Sequence, residues 1–131
     1  MPKKLGIKEG HRVAVIRPPD GFANTLGDLP ENVALRVGLS GAKAGPLDVI
    51  IVFVTRRAEL ERQLASMRRS MAKAGSLWVA WPKKASRVAT DMTEDVVRDV
   101  ALPTGLVDNK VCAIDETWSG LRLVIRLENR R

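Results

Sequence analysis

Four short stretches hold the side chains best able to do chemistry: Arg17-Pro18-Pro19-Asp20, Thr55-Arg56-Arg57, Trp81-Pro82-Lys83-Lys84 and Asp115-Glu116-Thr117-Trp118. Guanidinium and ammonium groups bind anions, and an arginine can grip a phosphate or carboxylate with two parallel hydrogen bonds. Arg56 and Arg57 fall in the first turn of an expected helix, where the macrodipole disfavours positive charge by about 0.3 to 1 kcal/mol each. A bound anion would account for them, because backbone donors at a helix start add to the two guanidinium groups. The competing reading is two solvated arginines whose stems lie on apolar surface, and Lys83 and Lys84 carry the same ambiguity. Trp81 and Trp118 could stack a planar ligand or could close the core. Asp115 and Glu116 could serve as acid and base, or could cap a turn and pair with neighbouring cations.

Other chemistries lack their residues. One cysteine, Cys112, and one histidine, His11, fall short of a zinc ligand set. Cys112 lies in the apolar run Lys-Val-Cys-Ala-Ile, which suits a small packed residue. Ser86 and Ser119 lack the Gly-x-Ser-x-Gly elbow of a hydrolase nucleophile. His11 opens a strand at the edge opposite the four stretches, so no catalytic residue, metal or cofactor is assigned. The outward stripe Arg62, Arg69 and Lys73 is interrupted by Glu59 and Glu61 and has no interleaved aromatic residues, which argues against nucleic acid as a partner.

At 131 residues, the chain can bury roughly two thirds of its unfolded surface without a disulfide or metal. The net charge is +7 and uneven: residues 1–47 carry seven basic and four acidic groups, 48–84 eight and three, and 85–131 seven and eight. The middle third is the basic part, which favours an anionic small molecule or an acidic protein as partner. Charges interrupt the apolar residues of the N-terminus, and no run approaches the roughly 20 residues that span a bilayer. No membrane association is expected, and the expected location is cytoplasmic. The sequence leaves the oligomeric state open.

The elements that must position these groups centre on residues 47–82. Val49 to Val54 is continuously apolar and β-branched, as in a parallel strand covered on both faces. Arg56 to Lys73 places Leu60, Leu64, Met67 and Met71 on one helical stripe, with Ala74-Gly75 as its expected stop. Leu77 to Ala80 is a second strand, ended by Pro82. Strand, helix and parallel strand commit the chain to an α/β layer architecture.

Around this unit, residues 1–10 read as a flexible lead-in to a single α/β domain over 11–131. His11 to Ile16 is a short buried strand, Gly21 to Gly27 a short helix, and Val33 to Val37 a strand with period-2 character suited to an edge. Gly38 to Pro46 is a loop, and the strand order around residues 31–47 stays open. Asp91 and Glu94 resemble a capping pair ahead of the stripe Val96, Val97 and Val100. Val111 to Ile114 and Leu121 to Leu127 form a terminal hairpin around Asp115 to Gly120.

The expected fold is therefore α/β, a three-layer, mostly parallel Rossmann-like sheet ending in an antiparallel hairpin. Its element order resembles the later strands of the class I methyltransferase fold. The turn after the first strand is Arg-Pro-Pro-Asp-Gly-Phe where a cofactor-binding member would show Gly-x-Gly-x-x-Gly, and Val37 runs into Gly38 where a ribose-binding acid would stand. The peptides Leu-Trp-Val-Ala-Trp-Pro-Lys-Lys-Ala-Ser, Thr-Asp-Met-Thr-Glu-Asp-Val-Val-Arg and Leu-Val-Asp-Asn-Lys-Val-Cys-Ala-Ile-Asp-Glu-Thr-Trp-Ser-Gly-Leu resemble a family of short bacterial proteins filed as a domain of unknown function. The resemblance spans roughly Val13 to Arg126 and implies a small standalone domain with no assigned activity.

In an open α/β sheet, ligands bind beyond the carboxyl ends of the strands. That edge would gather Arg17, Arg56, Arg57, Trp81, Lys83, Lys84, Asp115, Glu116 and Trp118. The expected function is a non-catalytic binding or regulatory module whose basic carboxyl edge accepts an anionic ligand or an acidic partner. The alternatives are a small or degenerate methyltransferase-like enzyme using Asp115 or Glu116, and a structural subunit.

Overall fold

A computed structural model of the chain describes residues 2–38 and 46–126. The elements are α1 (Pro2–Leu5), β1 (Arg12–Ile16), α2 (Phe22–Leu26), β2 (Ala34–Val37), β3 (Leu47–Phe53), α3 (Arg57–Ser70), β4 (Met71–Pro82), α4 (Glu94–Ala101), β5 (Leu106–Ala113) and β6 (Trp118–Ile125). Six strands make one sheet in the order β2-β1-β3-β4-β6-β5. β2, β1, β3 and β4 run parallel, and β6 is antiparallel to both β4 and β5. The carboxyl ends of β1 to β5 therefore share one edge, and the β5–β6 turn lies on it.

The apolar run of β3 forms the middle of the sheet because both of its faces are covered. Ile50 and Val52 pack with Leu60, Leu64 and Met67 of α3 and with Val97 and Ala101 of α4. Val49, Ile51 and Phe53 pack with Leu5, Ile7, Phe22 and Leu26. Each such side chain, fully buried, contributes roughly 1.5–3 kcal/mol, so the double covering is the main source of the sheet's stability. Trp78, on the second face, is fully buried and donates its indole N–H to Leu5 O at 2.9 Å.

Several expectations require correction. Residues 2–7 are no loose lead-in: α1 folds onto the sheet, with Leu5 and Ile7 buried. The helix expected to reach Lys73 ends at Ser70, because Met71 turns extended (φ −75°, ψ 136°) and pairs at once with Leu47. Gly75 consequently lies inside β4 rather than at a helix stop. A Cβ there would stand 2.8 Å from Leu47 O and 3.0 Å from Ala72 O, so the irregular pairing between Leu47 and Val49 requires glycine. Thr93, not Asp91, caps α4 by accepting Val96 N–H at 3.2 Å. β5 starts at Leu106, five residues earlier than expected. β2 lies at a sheet edge, as its period-2 pattern suggests. Most of the expected Gly38 to Pro46 loop, and Leu127 at the end of the last strand, lie outside the described residues.

Candidate functional site

The carboxyl edge carries all four chemistry-bearing stretches, and hydrogen bonds tie neighbouring stretches together. They fall into two groups with different surroundings.

The first group surrounds the start of α3. Glu59 Oε1 accepts from Thr55 N at 3.3 Å, Thr55 Oγ1 at 3.3 Å and Arg56 N at 3.2 Å. Its other oxygen takes the guanidinium of Arg17, whose side chain is 54% exposed where that of Glu59 is 14%. Asp91 Oδ1 accepts from Arg57 N at 2.7 Å. The backbone donors expected to cradle an external anion are thus held by two resident carboxylates, which settle the helix dipole themselves. Arg57 turns away from the edge toward Glu61, 3.6 Å distant, and lines a groove of about 510 Å³ between α3 and α4 with Arg68, Arg69 and Asp99. Beneath this part of the edge, Phe22 packs edge-on against Phe53 (4.9 Å between centroids, 70°), and Phe53 against Trp118 (5.1 Å, 90°).

The second group lies at the ends of β4 and β6. A pocket of about 470 Å³ is lined by Trp81, Pro82, Lys83, Lys84, Thr90, Met92, Thr93, Glu94 and Ser119. Trp81 forms an apolar wall at 7% exposure. Lys83 is fixed twice, by its N–H to Thr117 O at 2.7 Å and its Nζ to Asp115 O at 2.6 Å. Lys84 is exposed, with no ion pair among the described residues. The pocket's one carboxylate, Glu94, is held by Arg98, whose pKa is raised by its hydrogen bonds to Glu94 and Asp108. Arg98 is shared among Glu94, Asp95 and Asp108, so this cluster offsets only part of the negative charge of Glu94 beside the pocket.

Asp115 does not face this pocket as an acid. Its Oδ1 accepts Thr117 N and Trp118 N, both at 2.8 Å, and so builds the β5–β6 turn. Glu116 is exposed on the same turn. The two tryptophans cannot sandwich one ligand, because Trp81 belongs to the core on the α3 side and Trp118 packs on the opposite face. The sequence reading missed Thr90, Thr93, Glu94 and Ser119. The hairpin register that sets Ser119 beside Trp81 could have indicated one of them.

Among the described residues, no group of three or more His, Cys, Asp or Glu side chains could hold a metal ion, and no helix is long and apolar enough to cross a membrane.

The architecture is that of the Rossmann-like class I methyltransferases. The chain is similar to an S-adenosylmethionine-dependent methyltransferase from Aquifex aeolicus (16% identity, TM-score 0.61, covering 94% of this chain and 87% of that one). It is also similar to Aeropyrum pernix fibrillarin with bound S-adenosylmethionine (15%, 0.61, 92% and 69%) and to a Streptococcus agalactiae protein of the NAD-binding Rossmann superfamily (10%, 0.61, 95% and 67%). At these identities the likeness is one of fold. The chain itself belongs to the DUF3052 family, described as proteins of unknown function, whose model matches residues 3–127. No curated protein matches the sequence.

The residues do not fit the adenosyl cofactor those folds accommodate. Pro18 and Pro19 remove two N–H donors from the turn after β1, and buried Phe22 closes over Phe53 beside it. β2 ends in Val37-Gly38 with no acidic side chain to hold a ribose.

Proposed function

We propose that the protein is a cytoplasmic, non-catalytic binding module whose pocket between Lys84 and Ser119 takes a small anionic molecule. The observation that carries this reading is the pocket of about 470 Å³ with an apolar tryptophan wall, three hydroxyl-bearing residues and a lysine that makes no ion pair among the described residues. Its size suits a metabolite-sized ligand, and a few convergent polar groups in an apolar setting are what fix such a ligand's orientation. Lys83, tied to the β5–β6 turn, supplies a positioned charge at little further entropic cost on binding. Lys84 supplies the adaptable one.

A methyltransferase-like enzyme is the second reading. The folds of the Aquifex and Aeropyrum proteins favour it, while Pro18, Pro19, Phe22 and the turn-building role of Asp115 oppose it. A thermal-shift screen of nucleotides, phosphorylated metabolites and S-adenosylmethionine separates the two. The binding-module reading expects at least one polyanion to raise the Tm, Lys84→Ala to remove most of that gain, and S-adenosylmethionine to do nothing. If no anion raises the Tm, the reading fails. If S-adenosylmethionine alone does, the enzyme reading replaces it.

A further inference from the structure

In the pocket at the ends of β4 and β6, some polar groups are already engaged and others are open. Thr90 is engaged: its Oγ1 donates to Thr55 O and accepts Met92 N–H. Thr93 Oγ1 accepts Val96 N–H, but its own proton finds no acceptor among the described residues, and Ser119 Oγ makes no hydrogen bond there at all. Lys83 gives one of its three ammonium protons to Asp115 O, whereas Lys84 gives none to the described residues. Glu94 offers Oε2 to Arg98, and its Oε1 accepts nothing from the described residues, on a side chain that is 42% exposed.

The open groups are thus of both signs, and they are anchored at different levels of the terminal hairpin. Lys83 is fixed to Asp115 O in the β5–β6 turn, with Lys84 beside it in the chain. Glu94 is fixed through Arg98 to Asp108, near the start of β5. Because Arg98 is divided among three carboxylates, Glu94 keeps part of its negative charge. Two lysines therefore line the pocket together with one carboxylate. A ligand bearing negative charge alone would meet Glu94 as a like charge, and would leave Oε1 stripped of water without a donor in exchange.

Resting on the reading of this pocket as a binding site, we propose that its ligand is a phosphate monoester that also carries an ammonium group. With a second pKa of about 6, such an ester is mostly a dianion at neutral pH and matches the two lysines. The Ser119 hydroxyl adds a neutral donor to the phosphate oxygens. The ammonium group donates to Glu94 Oε1 in a charge-assisted hydrogen bond. Two negative charges and one positive on the ligand are the inverse of the lysines and Glu94 in the pocket. Glu94 then sets specificity, since an amine-free phosphate leaves its charge and its acceptor unmet.

The test is calorimetric titration of the native chain, in phosphate-free buffer near neutral pH, with phosphoethanolamine and 3-aminopropyl phosphate and with their amine-free counterparts, ethyl and propyl phosphate. At least one amine-bearing ester is expected to bind about tenfold more tightly than its counterpart, the effect of one hydrogen bond to a charged group. Glu94→Gln keeps an acceptor oxygen for Arg98 and is expected to erase that preference. Lys84→Ala is expected to weaken amine-bearing and amine-free esters alike. Should Glu94→Gln fail to fold, the paired ligands on the native chain carry the test alone. If neither amine-bearing ester binds more tightly than its counterpart, or if Glu94→Gln retains the preference, amine recognition is overturned. In that event the anion pocket still stands so long as some anion binds through Lys84; if no anion binds, both readings fall.

Discussion

On the β1–β3 side of the carboxyl edge, Arg17 pairs with Glu59, the α3 donors are held by Glu59 and Asp91, and Phe22, Phe53 and Trp118 pack in a row. On the β4–β6 side, residues of similar type surround an open pocket: a lysine without an ion pair among the described residues, hydroxyls, and a tryptophan serving as wall. Both sides are rich in arginine, lysine and aromatic residues, so composition does not separate them. The difference lies in whether a cation meets a resident carboxylate and whether an aromatic ring meets another ring. Charges that complete each other support the fold, whereas charges that converge without partners remain available to a ligand.

The contrast breaks most visibly at Phe53. Phe53→Ala removes the ring shared by Phe22 and Trp118 and is expected to lower unfolding free energy by about 3–5 kcal/mol in urea titrations. A loss under about 1 kcal/mol would mean the row is not structural. Next in size, Glu59→Ala leaves three backbone and hydroxyl donors near α3 without their acceptor, for a loss of about 1–2 kcal/mol. Little of that comes from the Arg17 pair, which is more than half exposed on the arginine side. Arg17→Ala, measured beside it, should therefore cost clearly less. At the small end, Lys84→Ala is expected to shift stability by no more than about 0.5 kcal/mol. A larger loss would make Lys84 a structural residue and dissolve the distinction between the two sides.

Much of this was legible in the residues. The β-branched run Val49 to Val54 announces a strand buried on both faces, and Leu60, Leu64 and Met67 announce the helix that covers it. The separation of Trp81 from Trp118 was not legible as a difference in role, because it depends on the register that sets Pro82 opposite Trp118 across β4 and β6. The end of α3 was misplaced because Ala74-Gly75 looks like a helix stop, whereas the demand for glycine comes from Leu47 O, on another strand. Asp91 looked like a cap for α4 and instead serves α3, 34 residues earlier in the chain. Such long-range partnerships leave no local spacing to detect.

No residue intervenes between α3 and β4, since Ser70 ends the helix and Met71 begins the strand. The helix therefore cannot slide along its axis without pulling directly on a twelve-residue strand whose far end carries Pro82 and then Lys83. A shift of α3 along its axis is thus handed to β4 at Met71, at the end of the strand away from the pocket, and reaches Pro82 only past the irregular pairing beside Gly75.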